Sequence, residues 1–489
     1  MLSPKISIFL TSLLISIQIP FAQQIAQAQT TQTTEKTSTT SICSNQIQSS
    51  INNIINRPEF TRMRWGILIK PLNSEQKLYN LESEKYFIPA STNKLFTTAA
   101  ALKKLGRDFK IRTSIYQDAE GTLRVVGRGD PSLKTAQLDI LSQQLYQRGI
   151  REIDQLIADD SYFQGEVVNP SWQWEDVQFY YGAPVNSLIV NENAAVINFV
   201  SQKIGEPLKI QWTNFLDSHN WNIQNNTITT AENQPGFVAV YRDLKGQILR
   251  IKGQLPVNAK PDITAIAVFD PADNFLRHFR GSLLKAGIKV KQVSVKNSGN
   301  ISQEIAFLES PSLSELIKEI NGNSNNLFTE AILKTLGSQQ PLKDNQTTVD
   351  SGLEVVKNTL TELGVDPKSY IIVDGSGLSR KNLISPESLV QVLQIMGTSN
   401  QGEIFRASLP VAGVSGTLKN RFLNTSAQGI VQAKTGTMMG VVTLSGYVNN
   451  TNYQPLVFSI MVNQSDQPAS IVRNAMDEIV VLLSQLKRC

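Results

Sequence analysis

Histidine is almost missing from this chain: His219 and His278 are the only two in 489 residues. That scarcity narrows how a serine or cysteine could be activated, because imidazole is the usual base in such sites. His278 lies in the helical stretch FLRHFRGSLLKAG and reads as a satisfied structural side chain. His219 lies in the polar run DSHNWN and reads as exposed. There is no G-x-S-x-G elbow either. Cysteine is as scarce: Cys43 and Cys489 are too few for a disulfide scaffold, and no Cys or His cluster has ligand spacing, so neither a metal nor a cofactor is expected. The two cysteines are either a bridge that ties the chain ends together or two unrelated thiols. Charge of one sign is lacking too. With 46 Lys and Arg against 41 Asp and Glu, the net +5 is mild and no basic block stands out, so nucleic acid is not an expected partner.

What is present begins with MLSPKISIFLTSLLISIQIPFAQQIAQAQ. Lys5, an apolar run over 6–19 and the small-residue site Ala26-Gln27-Ala28 form an export signal over 1–28, cleaved after Ala28. The run is shorter than the ~20 residues that span a bilayer, and no later segment is apolar enough to span. Export places the mature protein in the periplasm or cell-envelope space, with a loose association with membrane surface or wall left open. A Thr-rich polar linker follows over 29–42.

From Cys43 the isoleucines are spaced as in a helix, and WGILIKPL and KLYNLES flank a turn at Asn73 and Ser74 as in a hairpin. At the far end GIVQAKTGTM, GVVTLSGYV and PLVFSIMVN read as three strands, followed by a closing amphipathic helix over 468–486. Two early and three late strands are marginal as separate ribbons, so they are expected to complete one antiparallel five-stranded sheet flanked by helices. The fold class is therefore α/β and multidomain. The catalytic part is split over 43–111 and 304–489, around an insertion at 112–303 that forms one or two mainly β domains. A nested module is expected at about 200–260, where Asn, Gln and Thr are most frequent.

The chemistry starts in IPASTNKLFTTAAALKKLG, 88–106. Ser91 opens a helix behind Pro89, and Lys94 lies three residues on, on the same face, with Cβ atoms roughly 5–6 Å apart. A lysine can take the serine proton if burial and nearby positive charge bring its pKa down from ~10.4. S-x-x-K also occurs at 74–77, 282–285 and 484–487, but only Ser91 starts a helix behind a proline. NGNSNNLFTEAILKTLG places Ser324 and Asn326 just ahead of an amphipathic helix, where an N-cap serine is the plain alternative. QAKTGTM places Lys434, Thr435 and Gly436 on a strand, with Lys434 and Gly436 on one face.

S-x-x-K on a helix, S-x-N before a helix and K-T-G on a strand, in that order, resemble the penicillin-binding proteins and serine β-lactamases. GRGDPSL, IADDSYF, GAPVNSL, DGSGLSRKN and LPVAGVSGTL, with the long insertion, narrow the resemblance to class C low-molecular-mass penicillin-binding proteins, the D-alanyl-D-alanine carboxypeptidase/endopeptidases. The resemblance implies a transpeptidase-like catalytic fold and a serine DD-peptidase acting on peptidoglycan stem peptides, with β-lactams as inhibitors. A β-lactamase-like hydrolase or a non-catalytic wall binder are the alternatives. It further implies Ser91 as nucleophile, Lys94 as base, Ser324 and Asn326 as proton relay and peptide holder, and Lys434 and Thr435 as carboxylate binders. The backbone N–H groups of Ser91 and Thr437 would form the oxyanion hole. Asp160 and Arg380 would bind the zwitterionic end of diaminopimelate, in a pocket shared with Met438 and Met439.

Overall fold

The computed structural model describes residues 41–243, 247–296 and 303–489. The export signal and nearly all of the linker expected at 29–42 lie outside the described residues.

A five-stranded sheet runs in the order Val431–Met438, Val441–Val448, Leu456–Asn463, Arg64–Pro71 and Tyr79–Leu81, every neighbour antiparallel. Val441–Val448 and Leu456–Asn463 are buried along their whole length, which is why they read as nearly continuous apolar runs. The side-chain period of two divides Arg64–Pro71 between two cores. Trp65, Ile67 and Ile69 face a layer made by the helices Ile47–Ile55 and Ala469–Ser484. Leu68 faces the other side, where the helix Lys94–Leu105 is surrounded by Leu313–Gly322, Asn326–Gly337, Thr348–Glu362 and Pro386–Thr398. Lys94–Leu105 is buried from its first residue to Leu102, as a helix enclosed on all sides must be. It ends at Gly106, whose φ of 80° is cheap only for glycine.

The insertion has two parts. The outer one is a mixed sheet in the order Lys289–Val295, Glu152–Asp159, Thr122–Val126, Arg112–Ala119 and Gln303–Glu309. Its parallel pairs are joined by connections that include the helices Thr135–Gln147 and Pro271–Lys285, which share a core with the sheet. The outer part is thus α/β, whereas sequence marked only the second of these helices. Gln303–Glu309 pairs antiparallel with Arg112–Ala119, and Ile305 and Ala306 are buried in the insertion's core, so the return to the catalytic helices falls after Glu309 rather than at 304. The nested part is all β. Two three-stranded sheets bury a core of their own between Ala194 and Ala267, wider than the 200–260 read from composition.

Cys43 and Cys489 are bonded, with Cα atoms 5.7 Å apart across a sequence separation of 446. Beside the bridge, Ile42–Cys43 pairs in parallel with Leu486–Lys487. The first and last helices are packed together on the outer face, so the bridge closes a layer that already exists. No helix among the described residues is long and apolar enough to cross a membrane.

A cross-link between distant residues stabilises chiefly by restricting the unfolded chain. The double variant Cys43→Ser, Cys489→Ser is expected to lose about 2–4 kcal/mol of unfolding free energy in urea. A midpoint unchanged from wild type would show that the ends are held by packing alone.

Candidate active site

Ser91 stands on a single 3-10 turn, Ala90–Asn93, that feeds into the buried helix starting at Lys94, so the serine sits just ahead of the α-helix rather than at its first position. Ala90 has φ 46°, a left-handed conformation that costs a non-glycine residue about 1–3 kcal/mol and persists only where neighbours hold it. Gly377 holds it from below: a Cβ there would stand 1.9 Å from the Ala90 carbonyl oxygen. Asn93 Nδ2 donates to the Asp374 carbonyl (2.9 Å) and Thr97 Oγ1 to the Gly375 carbonyl (2.9 Å), fastening the turn and helix to the DGSG loop.

Lys94 Nζ is 3.0 Å from Ser91 Oγ, 2.6 Å from Asn326 Oδ1 and 2.7 Å from the Ser376 carbonyl oxygen. The side chain is wholly buried, and burial brings its pKa down to about 7 against the opposing pull of Asp374 and Glu330. A neutral amine has two N–H donors and one lone pair. The Asn326 and Ser376 oxygens accept only, so they use both donors, and the lone pair is left for the Ser91 hydroxyl.

Lys434 Nζ donates to Ser324 Oγ (2.8 Å) and to the Thr435 carbonyl (2.8 Å). It too is buried, and its pKa is lowered by burial and then by the charge of Lys94. The N-cap of the helix Asn326–Gly337 is Asn325, whose Oδ1 accepts from Phe328 N at 3.1 Å. That leaves Ser324, at φ 61°, free to face Lys434 instead of capping. Asn326 is oriented from the insertion, because its Nδ2 donates to the Tyr181 carbonyl at 2.8 Å.

The strand Val431–Met438 is the edge of the catalytic sheet, and from Thr435 onward its outer side pairs with no strand of the described residues. Gly436 lets it come close to the serine: a Cβ would lie 2.2 Å from Thr443 Oγ1, 2.9 Å from the Pro89 carbonyl oxygen and 2.9 Å from Ser91 N. The Thr435 hydroxyl meets that of Thr417 at 2.8 Å. A cleft of about 830 Å³ opens along this edge, and Ser91, Ser324, Asn326 and Thr437 line it.

Arg380, Met438 and Met439 line the same cleft. Arg380 Nη2 donates to the Met439 carbonyl (2.7 Å) and Nε to Gln173 Oε1 (3.1 Å), while the Met439 side chain is 88% exposed. Asp160 lies elsewhere. Its oxygens accept from Asn186 Nδ2 (3.1 Å) and from Ser187 N and Oγ (2.8 Å each), so it is spent on a turn of the insertion. Two carboxylates share the cleft with Arg380, Glu175 and Asp176. For Asp176, burial and the neighbouring Glu175 charge push the pKa up, Arg380 pulls it down, and a side-chain hydrogen bond links the carboxylate to Tyr181. Sequence reasoning missed Asp176, Tyr181, Ser376 and Thr417. The only local sign of the first two was the aromatic-rich stretch SWQWEDVQFYYG.

A serine hydroxyl beside a buried amine with its pKa drawn down to about 7, on a turn and helix packed against an antiparallel sheet, is the equipment of an acyl-transferring serine hydrolase. Residues 47–486 match the model of the D-Ala-D-Ala carboxypeptidase 3 (S13) family, and the chain belongs to that family. It is 31% identical over 464 residues to a D-alanyl-D-alanine carboxypeptidase of an Actinomadura species, covering 90% of this chain and 85% of that one. It is also 31% identical over 483 residues to penicillin-sensitive carboxypeptidase A of Dictyostelium discoideum, covering 90% and 92%. The fold is that of penicillin binding protein 4 from Haemophilus influenzae, with a TM-score of 0.76 at 24% identity over 89% of this chain and 98% of the other.

Gly436→Ala is expected to keep the fold, by circular dichroism, yet lower the rate at which a fluorescent penicillin labels the protein by ~100-fold, the scale of a 1 Å misplacement. Labelling at the wild-type rate would show that the close approach of strand to serine is not needed. In wild type, the free-base form of Lys94 grows as pH rises through about 7, so labelling should climb with pH across that value and then level off. A rate that is flat from pH 5 to 9 would contradict a base of that kind.

Proposed function

We propose that this protein is an exported DD-peptidase that cleaves D-Ala-D-Ala termini, or D-Ala crosslinks, of peptidoglycan through an acyl-enzyme on Ser91. The observation that carries the reading is the buried amine of Lys94, 3.0 Å from Ser91 Oγ, with both of its neutral-form donors engaged elsewhere.

The substrate lies antiparallel along the free edge of Val431–Met438, adding a strand there. Its terminal carboxylate meets Thr435 and Lys434. Ser91 Oγ attacks the penultimate D-Ala carbonyl as its proton moves to Lys94. The oxyanion forms between the backbone N–H groups of Ser91 and Thr437, each donor being worth about 10²–10³ in rate. The leaving amine takes its proton along the Ser324–Lys434 side of the cleft, and water then releases the acyl group. A carboxypeptidase and an endopeptidase share every one of these steps and differ in the amine that leaves.

For a diaminopimelate side chain, Arg380 would hold the carboxylate and Asp176 the ammonium. The charge contact of Asp176 with Arg380 in one cleft supports this assignment, because the pair presents the two opposite charges that a zwitterionic end needs. Penicillins present a strained amide in place of the D-Ala-D-Ala bond and are expected to acylate the same serine, as the name of the Dictyostelium relative suggests for that protein.

Intact-protein mass after incubation with benzylpenicillin should show one adduct that Ser91→Ala abolishes. An adduct that survives the substitution would move the nucleophile elsewhere. Arg380→Ala and Asp176→Asn should each raise KM on diaminopimelate peptides by about tenfold, whereas Asp160→Asn should change it far less. Equal effects of all three would reverse the assignment of the acidic partner.

A further inference from the structure

Glu330 lies one helical turn beyond Asn326, so both side chains leave the same face of Asn326–Gly337. Asn326 touches Lys94 directly at 2.6 Å. Glu330 reaches it through one intermediary. Its Oε1 accepts from Gly375 N (3.0 Å) and Ser376 N (2.7 Å), and the carbonyl of Ser376 is the other acceptor for the Lys94 amine (2.7 Å). One helix thus governs both acceptors that occupy the neutral amine's donors.

Two backbone N–H groups could be clasped as well by an amide oxygen, without the cost of several kcal/mol that a buried ion carries. Glu330 is nevertheless an acid and is almost completely buried. The neighbouring Asp374 has more donors: its oxygens take Gly377 N (2.8 Å), Ser379 N (2.6 Å), Trp172 Nε1 (3.0 Å) and Asn382 Nδ2 (2.8 Å), against burial that pushes its pKa up. Glu330 has two backbone donors on Oε1 and a side-chain hydrogen bond with Ser376, and burial together with the Asp374 charge still pushes its pKa up. The charged groups facing this pair are Lys94, drawn upward by both acids, Lys334 one turn further along the same helix, and Lys434 beyond Lys94. The Lys334 amine is already spent on the Glu166 (3.0 Å) and Val185 (2.6 Å) carbonyls.

We propose that Glu330 is a positioning residue for Lys94: it clasps the Gly375–Ser376 turn that aims the amine at Ser91, and its charge sets the pH at which that amine becomes the free base. The proposal rests on the reading of Lys94 as the base for Ser91. It separates a clasp, which an amide can replace, from a charge, which it cannot.

The experiment is the pH dependence of Ser91 acylation by benzylpenicillin in wild type, Glu330→Gln and Glu330→Ala. Gln keeps the clasp and removes a negative charge that favours protonated Lys94. Its acid limb should therefore move to lower pH by about one unit, with a plateau within a few-fold of wild type. Ala removes the clasp as well, and its plateau should fall by at least about tenfold. A Gln profile that superimposes on wild type, or an Ala variant with the wild-type plateau, overturns the proposal. If the Ala variant does not fold, the Gln profile decides alone. If wild-type protein forms no adduct, it is the reading of Ser91 that falls. The Lys94 amine titrated by NMR in wild type and Glu330→Gln then decides for Glu330, a downward shift supporting it and no shift overturning it.

Discussion

A lysine amine works as a base near neutral pH only where water is kept from its charged form, and the surroundings of Lys94 meet that requirement. Lys94 begins a helix that is buried from its first residue to Leu102, with four other helices around it and the sheet beneath. Its hydrogen bonds go to an amide oxygen, a backbone carbonyl and the serine. None of these is an anion, so the contacts orient the amine without binding its proton tightly. The acids that do face it, Glu330 and Asp374, sit behind the Gly375–Ser376 turn and act through space. Burial and charge therefore oppose each other at this one nitrogen, and the outcome near 7 is the balance between them.

The insertion contributes to the same balance. Its segment between Glu152–Asp159 and Ala194 runs along the cleft, where the Tyr181 carbonyl fixes Asn326 and Trp172 supplies a donor to Asp374. Tyr180 and Asp176 line the opening. A second tie comes from Glu192, whose Oε2 accepts from Asn325 Nδ2 at 2.8 Å, next to Ser324 and Asn326. Residues Asn191, Glu192 and Asn193 all have positive φ, a conformation held by Asn191 on Thr135 and by Asn193 on the Pro184 carbonyl and Asn186. The two halves of the chain thus meet at the S-x-N loop.

Much of the catalytic fold is legible in sequence, because each of its elements carries its own period. The strands 431–448 and 456–463, the closing helix and the turn after Ile69 announce themselves over a few residues. Ser91, Lys94, Ser324, Asn326 and Lys434 could be singled out because three short patterns fall in order on a helix, a turn and a strand, and the structure gathers them at one cleft. Asp176, Glu330 and Ser376 were not legible. What they meet lies across the fold, as Glu330 meets a turn 45 residues away, and neither the aromatic-rich stretch around Asp176 nor DGSGLSRKN around Ser376 singles those residues out. Asp160 was misplaced for the converse reason: an acidic pair at a strand end looks the same whether it faces a ligand or, as here, ties a turn through Ser187. The boundary at 304 failed because a strand that closes the insertion's sheet has the same alternation as one that opens the next domain.

The edge strand that carries Lys434, Thr435 and Gly436 is made long after Ser91, the serine it approaches. The sheet takes three of its five strands from beyond residue 430, and its outer helical layer joins Ile47–Ile55 to Ala469–Ser484. A nascent chain therefore holds a serine and a lysine with neither a second cation beside them nor a floor to keep them dry. The cleft beside Ser91 can therefore take shape only after the strands beyond residue 430 are made, and the Cys43–Cys489 bond can close only after them.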